Sequence, residues 1–164
     1  MTRTYIACFS PSKTSNIQGY VLFEQPNRLT PVHITFQLGG FKKVGQIHAI
    51  HIHEFGDLRK GCESLGGHWN PRKKFHGSLQ YDEDHHAGDL INNLRVQSGQ
   101  QFVFSYDDPL VTLFGRHSIL GRSVVIHQGQ DDLGRGPPPD SQITGNAGKR
   151  LACAVIGYAQ KKIS

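Results

Sequence analysis

Two histidines two residues apart open the run His51-Ile52-His53-Glu54-Phe55-Gly56-Asp57. They lie in an apolar, β-branched stretch, Ile47 to His53. Side chains at i and i+2 of a strand point to the same face, so a sheet here would hold both imidazoles on one side. That is half of a metal site. The other half has candidates downstream: His68, His76, His86, Asp89 and His127. Six histidines and one aspartate exceed what one tetrahedral ion takes, and the set reads as two metals sharing a ligand. An imidazole-only set with an open position suits copper. Three imidazoles and one carboxylate make a closed tetrahedral set suited to structural zinc. One histidine can serve both ions, because imidazolate carries two nitrogens on opposite sides of its ring.

The other histidines carry plainer readings. His33 and His117 read as ordinary strand residues, and His48 as a group that packs behind a ligand. Of the adjacent pair His85 and His86, one reads as solvated.

The elements that must position these ligands are strands. Hydrophobic residues make up 37% of the 164-residue chain, with 19 glycines and 8 prolines, a mix that favours short strands and many turns. Strands are expected near Thr4–Phe9, Gln18–Gln25, Pro31–Leu38, Gly45–His53, Asp89–Val96, Gln101–Tyr106, His117–His127 and Ala152–Ala159. These eight predict one all-β domain over residues 1–164, an eight-stranded antiparallel β-sandwich or barrel. Two segments break the rhythm, Glu54–Gly88 and Gln128–Arg150. Loops this long are functional or disordered, and metal ligands would order the first of them.

The formal net charge is +5. Lys and Arg are scattered, and no stacked-aromatic platform or nucleic-acid motif is visible. A small anionic substrate fits the mildly positive field better. The first residues lack the apolar core of a secretory signal, and no run is long and apolar enough to span a membrane. A cytoplasmic protein is the expectation.

The segments His51–Asp57, Gly61-Cys62, Gly66–Pro71, His86–Leu90, Gly121–His127, Asp131–Gly134 and Gly145–Cys153 resemble copper/zinc superoxide dismutase. The resemblance runs from about Gly19 to Gln160. It implies a Greek-key, immunoglobulin-like barrel with a metal loop at about residues 54–88 and a guidance loop at about 128–150. It implies an antioxidant enzyme that disproportionates superoxide with copper and zinc as cofactors. The implied copper ligands are His51, His53, His68 and His127; the implied zinc ligands are His68, His76, His86 and Asp89, with His68 as the bridge. Asp131 matches an aspartate that accepts hydrogen bonds from one histidine of each set, here His51 and His76. Its neighbour Asp132 reads as part of a solvated turn. Arg150 matches the arginine that guides the anion at the copper, and Thr144 the residue that narrows the channel opposite it. Cys62 and Cys153 match an intrasubunit disulfide, which would close a loop of about 90 residues, worth ~4–5 kcal/mol in the loop-entropy model. Cys8, in an apolar strand, reads as a buried free thiol.

The chain departs from the pattern in places. The interval from His76 to His86 is one residue longer than the family spacing. His86 keeps the register of His-Ala-Gly-Asp, whereas His85 would keep the length. In the guidance loop, Gly136-Pro137-Pro138-Pro139-Asp140-Ser141-Gln142-Ile143 places Ile143 where the family carries a lysine, which predicts weaker steering. The resemblance implies a homodimer through Phe55, Ile119, Leu120, Gly121 and Ile156 to Tyr158, and a copper chaperone as partner. A metal-binding relative without turnover would lack a copper histidine or the channel arginine, and both are present. A chaperone domain would bring a CxxC motif, which is absent.

Overall fold

The structure, a computed structural model, describes residues 1–160; the last four residues of the expected domain lie outside the described residues. Its strands are β1 (Arg3–Phe9), β2 (Gln18–Gln25), β3 (Val32–Gly39), β4 (Ile47–His53), β5 (Arg59–Cys62), β6 (Asn93–Arg95), β7 (Phe102–Asp108), β8 (Ser123–His127) and β9 (Arg150–Tyr158). All but β5 form one antiparallel sheet of eight strands in the order β6-β4-β8-β9-β1-β2-β3-β7. The two edge strands are joined by a Gln97–Gln101 bridge, so the sheet is a nearly closed barrel. The chain crosses the barrel between β3 and β4 and again between β7 and β8, the non-neighbour connections of a Greek key. Among the described residues, helix is confined to α1 (Ser141–Thr144) and two short 3-10 turns, Ala87–Asp89 and Gly115–His117.

Alternation fills the interior. Tyr5, Ala7 and Phe9 of β1 point inward with Val21, Phe23, Ile34, Phe36, Ile50, Ile52, Val124, Ile126 and Ile156. Cys8 corrects the expectation made for it: strand alternation turns it outward between Ala7 and Phe9, and its thiol is exposed and free.

β4 is buried on both faces except at its first residue. Ile50 and Ile52 enter the barrel core, and the opposite face carries His51 and His53. The long segments cover that second face. Residues after β5 fold back along β4: Glu54 N donates to Gly67 O (2.9 Å), Trp69 N to Ile52 O (2.8 Å), and His53 bridges His68.

The predicted strand Asp89–Val96 shrinks to Asn93–Arg95. Leu90 and Asn92 take left-handed φ of 50° and 59°, which no strand tolerates, and the turn they make aims Asp89 at the histidines. The predicted strand His117–His127 begins only at Ser123, because Gly121 turns the chain with φ of 78°.

Candidate metal centre

Each histidine of the buried face has one ring nitrogen claimed by an acceptor. His51 Nε2 donates to Asp131 Oδ2 at 2.6 Å. His53 Nδ1 donates to Gly66 O at 2.9 Å, and His127 Nδ1 to Gly148 O at 3.1 Å. A neutral imidazole has one N–H, so each acceptor fixes the tautomer and leaves the other nitrogen bare. The bare atoms converge: donor atoms of His51, His53, His68 and His127 lie within 4.8 Å of one another. His53 Nε2 and His127 Nε2 stand 3.3 Å apart. His51 Nδ1 and His68 Nε2 are buried with no hydrogen-bond partner. Lone pairs facing one another in a buried pocket repel unless a cation sits among them.

The rings are electrically ready for one. Burial holds His51 and His53 well below the usual imidazole range, helped by the neighbouring His68. His127 falls to about 4, chiefly through burial and with His68 and Arg150 adding to it.

A second group shares His68. Asp89 Oδ1 lies 3.0 Å from His68 Nδ1, 2.8 Å from His76 Nδ1 and 3.1 Å from His86 Nδ1, and His68 Nδ1 to His86 Nδ1 is 3.4 Å. Four donors about 2.0–2.1 Å from a tetrahedral zinc stand roughly 3.3 Å apart, so this group fits such an ion. His68 thus offers Nε2 to the first group and Nδ1 to the second.

One carboxylate ties the groups together. Asp131 takes His51 on Oδ2 and His76 Nε2 on Oδ1 at 2.8 Å. Despite burial, these two bonds hold its carboxyl well below the usual carboxylate range. Burial opposes charge on His76 too, but Asp131 and Asp89 flank it and raise it to about 9. Gly145 is required here: its φ is +65°, and a Cβ would fall onto the Asp131–His76 contact. Gly88 has the same status, since a Cβ there would strike the Ile52 carbonyl of β4.

Arg150 and Thr144 line one cleft with His53, His68 and His127. The Arg150 guanidinium donates to Cys62 O (2.7 Å) and Gly66 O, which aims it. Cys62 and Cys153 form a disulfide across 91 positions of sequence, tying β5 to β9.

The sequence expectations for the two ligand sets, Asp131, Arg150 and Thr144 all fall on this centre. His48 sits behind it, its Nδ1 donating to His127 O at 2.9 Å. Two expectations need correction. His85 and His86 are both buried, at 1% and 5% exposure, so neither is solvated. Asp132 is no free turn residue: it accepts from Gly134 N, Ser141 Oγ and Asn146 Nδ2 and holds the guidance loop in shape. Asn92 and Asn93 were missed. Asn92 Nδ2 donates to Asp131 Oδ2 and to Gly77 O, and Asn93 brackets the Asp131 backbone. Their one signal was a pair of turn-forming amides three and four residues after Asp89.

A family model for copper/zinc superoxide dismutase matches residues 17–156. The chain belongs to the copper/zinc superoxide dismutase family. It is 45% identical over 148 residues to Cu-Zn superoxide dismutase 5 of Dictyostelium discoideum, covering 90% of this chain and 95% of that one. It is 46% identical over 145 residues to the Cu-Zn superoxide dismutase of Humicola lutea, covering 88% and 93%. The crystal structure of the clock protein EA4 superposes with a TM-score of 0.85 at 38% identity, covering 96% of this chain and 95% of that chain. As a copper/zinc superoxide dismutase the chain is an oxidoreductase with copper and zinc as cofactors, and its two histidine groups suit those ions.

Proposed function

We propose that His51, His53, His68 and His127 hold the copper, that His68, His76, His86 and Asp89 hold the zinc, and that the pair serves disproportionation of superoxide to oxygen and hydrogen peroxide. The observation that carries this reading is the His68 ring, with one nitrogen in each group. Copper, when bound, supplies a one-electron redox couple that zinc lacks.

The chain's own residues do the rest. Asp131 holds Nε2 of both His51 and His76, so that His51 presents a lone pair on Nδ1 and His76 does so once its Nδ1 proton is expelled. Asp89 orients His68 from the Nδ1 side, leaving Nε2 at the floor of the cleft. That nitrogen would be a copper ligand, and only when free of the ion could it hold a proton to pass to the departing peroxide. Arg150 stays cationic and offers a planar fork of donors to a small anion above His53 and His127. The fit of an anion rests on that charge, since Asp140 also lines the cleft and opposes it.

A homodimer is the reading for the exposed apolar residues Phe55 (51% exposed) and Tyr158 (76%). Ile119 and Ile156, expected at the same contact, are wholly buried core residues, which narrows the surface. A copper chaperone is the partner that fits a ligand group whose innermost member, His51, has no exposed surface.

Stopped-flow measurement of superoxide decay tests the function. Protein loaded with both ions should turn over superoxide, and protein loaded with zinc alone should not. Absence of turnover with both ions bound would reject the proposal.

A further inference from the structure

Asp89 is fully buried, and its two oxygens have different neighbours. Oδ1 faces the three imidazole Nδ1 atoms. Oδ2 accepts from Gly77 N at 3.0 Å, from His86 N at 3.2 Å and from His85 Nδ1 at 3.2 Å. His85 Nδ1 also lies 2.9 Å from His86 O. Both of its neighbours are acceptors, so Nδ1 carries a hydrogen and shares it between them.

The other end of the ring is unusual. His85 Nε2 is buried and has no hydrogen-bond partner. Burying an unmet polar atom opposes folding, so the ring is held there by what Nδ1 does. A carboxylate next to a metal can offer one oxygen or two. Backbone N–H groups of Gly77 and His86 hold Oδ2 from the chain side, and His85 supplies the side-chain donor.

We infer that His85 is a positioning residue that pins Asp89 Oδ2 away from the ion, so that Asp89 binds zinc through Oδ1 alone and the site stays four-coordinate. The inference rests on the assignment of His68, His76, His86 and Asp89 to zinc. It turns the sequence's choice between His85 and His86 into a division of labour: His86 faces the ion and His85 holds the carboxylate that does so.

Cobalt(II) placed in this site reports coordination number directly, because four-coordinate cobalt absorbs visible light far more strongly than five- or six-coordinate cobalt. The variants are His85→Asn and His85→Gln. An asparagine amide reaches the place of Nδ1, whereas a glutamine amide reaches the place of Nε2. Wild type and H85N should both show the intense four-coordinate spectrum and similar zinc affinity in chelator competition. H85Q should lose that intensity and bind zinc about 10- to 100-fold more weakly, the usual loss when such an outer partner is removed. If both variants match wild type, or both lose spectrum and affinity equally, the inference is wrong. If wild type itself lacks the four-coordinate spectrum, the zinc assignment fails, and the inference fails with it.

Discussion

His51 Nε2 donates to Asp131 Oδ2 across 2.6 Å, with both side chains fully buried. The same carboxylate takes His76 on its other oxygen, so a single residue from outside both ligand groups orients a ring in each. Asp131→Asn should therefore disturb both groups. An amide has one acceptor and one donor end, and the donor end would face an imidazole N–H. We expect zinc affinity in chelator competition to fall about 10- to 100-fold. Unchanged affinity would show that backbone geometry alone orients the rings.

His51 belongs to the copper group and not to the zinc group. His51→Ala should remove copper binding and leave most of the zinc, measured by elemental analysis after dialysis. Equal loss of both ions would contradict the division of ligands.

The cleft carries Arg150 as its cation and Asp140 as an opposing charge, while Ile143 is 56% exposed where steering charge is expected. Arg150→Glu should slow superoxide turnover by roughly 10- to 1000-fold with copper retained, the range over which a local field alters capture of a charged substrate. Ile143→Lys should raise the rate at low ionic strength, and salt should erase the gain. A wild-type rate that climbs with salt would reject positive steering altogether.

Proton counting separates the two groups. His76 is raised to about 9 between Asp131 and Asp89, so near pH 7 the metal-free ring is protonated. A ligand nitrogen must be bare, and zinc uptake must expel that proton. Calorimetry in buffers of different ionisation enthalpy should find about one proton released per zinc at pH 7, falling towards zero above pH 9. Zinc affinity should accordingly rise with pH up to that point. His127, lowered to about 4, should release none near neutrality. A pH-independent zinc affinity between pH 6 and 9 would show that His76 is not the group displaced.

Much of this was legible in the chain because period-two alternation and ligand chemistry point the same way. In β4, Ile50 and Ile52 mark the core face and His51 and His53 the other, and no other reading of that strand keeps both facts. Register of His-Ala-Gly-Asp points to His86 and not His85 as the ligand, and His86 Nδ1 lies 3.1 Å from Asp89 Oδ1. What escaped depends on backbone shape and not on residue type. Asn92 looks like a strand residue until its left-handed φ is known, and only then does its amide reach Asp131. Asp132 looks like its neighbours in any polar loop, and its three donors come from residues 2, 9 and 14 positions away. Gly66 O and Gly148 O, which fix the tautomers of His53 and His127, are backbone atoms that every residue carries.

Diffraction data collected at the copper and zinc absorption edges test the shared ring most directly. Two anomalous peaks should flank His68, copper beside Nε2 and zinc beside Nδ1. A solitary peak, or two peaks with no ring in common, would contradict the assignment.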